Sequence, residues 1–190
     1  MGTLARFAGP LAMLGGAVWI IAGGIQAVVP SAPSWIGVFA AILLIGGAAV
    51  GLQRQLGART GRLGRWGAAA TAIGAVALIT SVLIVIATGQ VNSTTPPAIL
   101  LAMSLLSALL WFVGGLVFAL GLMRAKAISP LAGWLVVLAA VIIPVLVIAI
   151  PQNPPPIVYV PLVLYGAGWM LVGYEARRQV ADLGTAGQPS

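Results

Sequence analysis

Apolar residues run in long unbroken blocks along this chain, with little interruption by polar ones. Such blocks lack the two-residue period of a half-buried strand and the 3.6-residue period of a surface helix. They fit helices that are apolar all round, the pattern a membrane span requires. Crossing about 30 Å of hydrocarbon takes roughly 20 such residues. The pattern predicts six spans, over 10–29, 35–53, 66–88, 98–123, 130–150 and 157–174. They form one domain over 1–178, followed by a short polar cytoplasmic tail over 179–190. The expected fold class is all-α, a polytopic membrane protein built as a six-transmembrane-helix bundle.

The breaks between blocks are of two kinds, and the kinds alternate. Arg6 precedes the first block, Arg54, Arg59, Arg62 and Arg65 separate the second from the third, and Arg124 and Lys126 follow the fourth. Glu175, Arg177, Arg178 and Asp182 follow the sixth. The remaining breaks, Pro30–Ser34, Gly89–Pro97 and Pro151–Pro156, are rich in proline and carry no charge. Lys and Arg in short loops stay on the cytoplasmic side of a membrane. The alternation therefore predicts both termini in the cytoplasm and a multi-pass protein of the cytoplasmic (inner) membrane. The first block is needed to keep that alternation, so it is read as a span and not as a cleaved leader.

Composition sharpens this picture. The chain is 61% hydrophobic and 6% charged, with a mean hydropathy of +1.14. A soluble domain carries roughly 25% charged residues, so the lipid bilayer is the expected first partner. The net charge of +7 does not point to nucleic acid, because the basic residues sit at span ends without aromatic platforms among them. Arg54, Arg59, Arg62 and Arg65 are instead expected to contact anionic lipids at the cytoplasmic face, where each basic residue contributes about 1 kcal/mol. Abundant Ala, Gly, Val and Leu, with arginine far ahead of lysine, fit a GC-rich bacterial chain.

The chemistry available is narrow. The chain has no cysteine and no histidine, and no Asp, Glu or Lys falls inside a block. Thiol chemistry and the usual zinc, copper and haem ligands are missing. A serine with no base beside it is no nucleophile. The expectation is a protein that is not an enzyme and has no cofactor and no metal.

Sequence echoes suggest three helical hairpins in parallel orientation, over about 6–54, 62–124 and 130–178. The second block ends Gly51-Leu-Gln-Arg54 and the fourth Gly121-Leu-Met-Arg124. The third begins Leu63-Gly-Arg-Trp66 and the fifth Leu131-Ala-Gly-Trp134.

Two sets of residues carry the functional expectations. Helices in lipid associate by close approach through small residues, so Gly47 and Gly51 mark a helix-packing interface. This supports the leading reading, a non-catalytic structural or accessory subunit joining a homo-oligomer or a larger membrane complex through Gly-rich faces. The second set is Gln26, Pro144, Pro161, Tyr165 and Trp169. Pro144 and Pro161 interrupt the last two blocks, while Tyr165 and Trp169 share a helix face four residues apart. They outline a ligand cavity between the fifth and sixth spans, which supports a carrier or binding protein for a small apolar or lipid-like molecule. Trp35, Trp66 and Trp134 are expected at the headgroup level. Glu175 is expected to pair with Arg178, three residues on.

Overall fold

A computed structural model describes residues 3–29, 35–89, 97–149 and 159–185. The described residues form six α-helices and no strand: α1 Thr3–Val28, α2 Trp35–Leu56, α3 Gly61–Ala87, α4 Ala98–Arg124, α5 Pro130–Ala149 and α6 Val160–Thr185. Four of them, α1 to α4, are long and apolar enough to cross a membrane, and α5 contributes a shorter apolar stretch, Pro130–Leu146.

The helices coincide with the apolar blocks but outlast them at the charged ends. α1 begins at Thr3, with Pro10 inside it, α3 begins at Gly61, and α6 continues to Thr185, into the polar stretch read as a tail. Hydropathy marks the thickness of hydrocarbon, whereas backbone hydrogen bonding propagates one residue at a time beyond it. Pro161 occupies the first turn of α6, where a missing N–H costs nothing. It therefore starts the helix and does not kink it. Pro144 lies inside α5, which continues through it to Ala149.

The stretch from Arg54 to Arg65 is almost entirely helical. A 3₁₀ turn over Gly57–Thr60 joins α2 to α3, and both flanking glycines, Gly57 and Gly61, have positive φ of 52° and 62°. Only glycine takes that region freely. The Thr60 hydroxyl donates to Gln53 Oε1 at 2.8 Å, and Gln53 Nε2 donates to the Gly57 carbonyl at 3.2 Å.

Each helix packs on its neighbours in sequence, and α6 closes onto α1, so the helices form a ring. Two seams of the ring are built from glycines seven residues apart. Between α3 and α4, Gly67 and Gly74 lie against the backbones of Phe118 and Trp111, while Gly114 and Gly121 lie against Thr71 and Gly64. Between α6 and α1, Gly166 faces Gly16 and Gly173 faces Gly9. A Cβ at Gly74 would sit 2.6 Å from Trp111 Cα, and one at Gly166 would sit 2.6 Å from Gly16 O. No side chain fits at such contacts. Buried hydroxyls follow the same economy: Thr71 donates to Gly67 O at 2.8 Å, and Ser107 to Met103 O at 2.7 Å, each within its own helix. A polar group that bonds its own helix needs no water.

Candidate functional site

Bringing α3 and α4 together on glycines places the large side chains of α4 at the centre of the ring. Trp111, Phe112 and Phe118 from α4 meet Trp19 from α1 and Tyr165 and Trp169 from α6, all of them buried. Trp111 is the hub. Its ring centroid lies 5.1 Å from Trp19, 5.3 Å from Tyr165 and 4.9 Å from Phe112. One turn along α6, Trp169 stacks on Phe118 at 6.2 Å and meets Tyr165 edge-on at 6.3 Å. Tilted and edge-on rings in this range attract by about 0.5–1.5 kcal/mol per pair beyond area burial.

The cluster is unusual in its hydrogen bonding. Trp19 Nε1, Trp111 Nε1, Trp169 Nε1 and Tyr165 OH are all buried, and no carbonyl or carboxylate answers them. Tyr165 and Trp169 engage each other side chain to side chain, which leaves the Trp19 and Trp111 indoles as the donors without an acceptor. Ring faces offer a weaker N–H···π contact. A buried donor left unpaired costs about 1–3 kcal/mol. Apolar side chains of similar shape would avoid that cost.

Beside the cluster lies a cavity of about 190 Å³, lined by Trp19, Gly23, Gln26, Val38, Phe112, Ile143 and Leu162. It is drawn from the C-terminal part of α1, the start of α2, the middle of α4, the later part of α5 and the start of α6. Trp19, Gly23 and Gln26 recur at four- and three-residue spacing, so they share one face of α1. Gln26 brings the one side-chain amide among the lining groups.

Of the residues expected at a cavity, Gln26 lines it. Pro144 and Pro161 stand next in sequence to the lining residues Ile143 and Leu162. Tyr165 lies behind the wall, its ring 5.5 Å from both Trp19 and Phe112. Trp169 lies deeper, against Tyr165 and Phe118, and does not line the cavity. Of the two aromatic wall residues, Trp19 is a mid-span tryptophan that the sequence marks as able to line an apolar pocket, whereas Phe112 was not singled out. Their signal was the i, i+4, i+7 series in α1 and the placement of Phe112 beside a mid-span tryptophan. Gly47 and Gly51 are separated by the fold: a Cβ at Gly47 would meet nothing within 4 Å, whereas Gly51 is buried.

The opposite end of the ring collects the charge. Gly64 lies against Gly121, and Ser129 against Glu175, so the arginine-bearing ends of α2, α3, α4 and α6 share one end of the bundle. Arg54, Arg59, Arg62, Arg65, Arg124, Lys126, Arg177 and Arg178 are all exposed there. Trp66, Trp134 and Tyr174 are exposed at the same end. The side chain of Trp35 lies outside the described residues.

Glu175 differs from the expectation of a pair with Arg178. Its carboxylate accepts from Ser129 N at 2.5 Å and Ser129 Oγ at 2.6 Å. Ser129 in turn receives Ala132 N–H on its hydroxyl at 3.3 Å and stands just before α5. The acid therefore supports the N-terminus of α5, where negative charge is favoured. Glu175→Ala leaves the Ser129 N–H and hydroxyl unanswered and should cost about 1–3 kcal/mol. Thermal unfolding in detergent reads this, and Glu175→Gln, which keeps an acceptor oxygen, should lose less. Equal melting of all three proteins would mean that the contact contributes nothing.

Comparison of the chain with protein-family models, with curated proteins and with solved structures finds no match. The class defined by the fold is an all-helical protein whose apolar helices are compatible with a membrane.

Proposed function

We propose that the protein is a non-catalytic integral membrane protein with six membrane-spanning helices that holds a small apolar molecule in the cavity beside its aromatic centre. The observation that carries this reading is the pairing of the Gln26-lined cavity with the buried Trp19 and Trp111 indole donors, which have no acceptor. A protein selected only for packing would fill that centre with apolar groups. At about 190 Å³ the cavity is smaller than drug-sized pockets of roughly 300 Å³ and above. The ligand class is therefore the size of a single ring or a short chain, with Gln26 able to meet one polar atom on it.

The orientation follows from charge. With the basic end in the cytoplasm, both termini are cytoplasmic, the arginines meet anionic lipids of the inner membrane, and the cavity opens toward the outer leaflet. Three consecutive hairpins, α1/α2, α3/α4 and α5/α6, supply the parallel repeat in this scheme. No group with catalytic reach lies at the cavity, and no cofactor is needed there.

Native mass spectrometry of detergent-released protein tests the reading. A small-molecule adduct of defined mass is expected on the monomer and should disappear in Leu162→Trp, which fills the cavity from its wall. An adduct that survives this variant places the ligand elsewhere. Tyr165→Phe supplies a second check. The hydroxyl meets only the Trp169 indole, so removing it should change stability by no more than about 1 kcal/mol. A larger loss would show that the hydroxyl holds a stronger bond inside the cluster.

The accessory-subunit reading retains one specific observation, the open surface at Gly47. Gly47→Leu alone is the test of association there, because Gly51 is occupied inside the bundle.

A further inference from the structure

We propose that the groove between the α4–α5 connection and α6 binds the phosphate of an anionic phospholipid headgroup. This site rests on the membrane-spanning reading of α5 and α6 but is independent of the apolar cavity, which lies at the other end of the ring.

The groove has a volume of about 420 Å³ and is lined by Lys126, Ala127, Ile128 and Ser129 of the connection and by Glu175, Arg178 and Gln179 of α6. Its two cations come from different elements and face the same space. The acid beside them, Glu175, is engaged by Ser129 through both oxygens. Among the described residues neither Lys126 nor Arg178 makes an ion pair. Lys126 and Arg178 bring two positive charges to a groove whose one lining carboxylate, Glu175, is taken up by Ser129, so an added anion is attracted there. A phosphate suits both, since each bond would be charge-assisted and arginine can offer a two-pronged fork.

The backbone fixes the lysine in place. Lys126 N–H donates to Met123 O at 2.9 Å and Ala127 N–H to Leu122 O at 2.9 Å, while Lys126 has φ 52°. This is a Schellman cap, and glycine or asparagine is the unstrained choice at the left-handed position. Here a lysine stands in it. Gln179 Nε2 donates to Ala127 O at 3.0 Å, tying the loop to α6. Both walls are therefore held before any ligand arrives.

Depth decides the source of the phosphate. Trp134 and Tyr174 are half-exposed, at 51% and 50%, one turn into α5 and beside Glu175. Exposed indole and phenol rings at the end of a membrane helix sit among headgroups. A groove at that level meets lipid phosphate in the bilayer plane.

The test uses the full chain in detergent, titrated with phosphatidylglycerol and with phosphatidylcholine and read by native mass spectrometry, with inorganic phosphate as a parallel titrant. Phosphatidylglycerol should be retained preferentially, and Lys126→Gly and Arg178→Gln should each weaken retention at least about tenfold, the usual effect of one charge-assisted bond. Leu106→Ala, an exposed substitution on α4 away from the groove, should change it less than about twofold. Lys126→Gly also separates binding from folding. Glycine is the better cap residue, so this variant should melt no lower than the parent while it loses the lipid. Unchanged retention in the double variant Lys126→Gly with Arg178→Gln overturns the site. Retention of phosphatidylcholine equal to that of phosphatidylglycerol overturns the anionic selectivity. Saturable binding of inorganic phosphate that displaces the lipid keeps the phosphate groove and overturns the lipid as its natural source.

Discussion

Gly114→Val should keep the chain from folding, and Gly47→Val should leave it folded. A Cβ at Gly114 would lie 2.7 Å from the carbonyl carbon of Ala70 and nearer still to Thr71 N. Both are backbone atoms of α3, so no rotamer change relieves the clash and α3 as a whole must move away. Overpacking that a side chain can absorb costs about 1–3 kcal/mol, and this one exceeds it. A loss of at least about 3 kcal/mol is expected. In lipid no hydrophobic force holds two helices together once close packing is gone. The displaced helix would also withdraw the support that sets Trp111 at the centre. Gly16→Val, which meets Gly166 O and Met170 N, should behave in the same way at the α1/α6 seam. Size-exclusion profiles and melting in detergent measure both. A Gly114→Val protein that stays monodisperse and melts close to the parent would show that the α3/α4 contact is looser than described.

The glycines also show where sequence reading succeeded and where it stopped. The six helices were legible because the apolar blocks are long and the breaks between them carry either arginine or proline. Their ends were less so, because hydropathy falls at the edge of hydrocarbon while α3 and α6 continue into charged sequence. Gly47 and Gly51 drew attention as a four-residue small pair, and Gly15/Gly16, Gly114/Gly115 and Gly166/Gly168 as further small faces, all of them local motifs. The seams actually formed use glycines seven apart, Gly9 and Gly16, Gly67 and Gly74, Gly114 and Gly121, and Gly166 and Gly173. A seven-residue step keeps one face aligned over two turns. It becomes informative only when the partner helix is known, and pairing α1 with α6 joins the two ends of the chain.

The same limit applies to the cavity. Gln26, Tyr165 and Trp169 could be picked out as polar or aromatic residues in apolar surroundings. Trp19 and Phe112 could not be assigned to the same place as Tyr165, since three helices far apart in sequence must converge first. Glu175 was read against its neighbour three residues on, while its partner Ser129 lies 46 residues away. Local spacing finds pairs within a helix, and this bundle places its telling contacts between helices.

Trp111→Ala should lower stability by about 3–5 kcal/mol and should be partly rescued by indole. The side chain is fully buried and touches Trp19, Phe112 and Tyr165. Truncating a buried aromatic ring removes its transfer energy and leaves a hole that relaxes only in part. Trp19 and Phe112 line the existing cavity, so the new space would join it. A ligand that binds only the folded protein adds about 2.7 kcal/mol at a hundred times its dissociation constant. Indole at that excess should recover much of the lost melting temperature. Trp66→Ala, at an exposed ring, should show neither the loss nor the rescue. A Trp111→Ala protein that is destabilised but indifferent to indole would mean that the walls collapse into the hole. The cavity would then be a product of tight local packing and not a container that the ring of helices holds open.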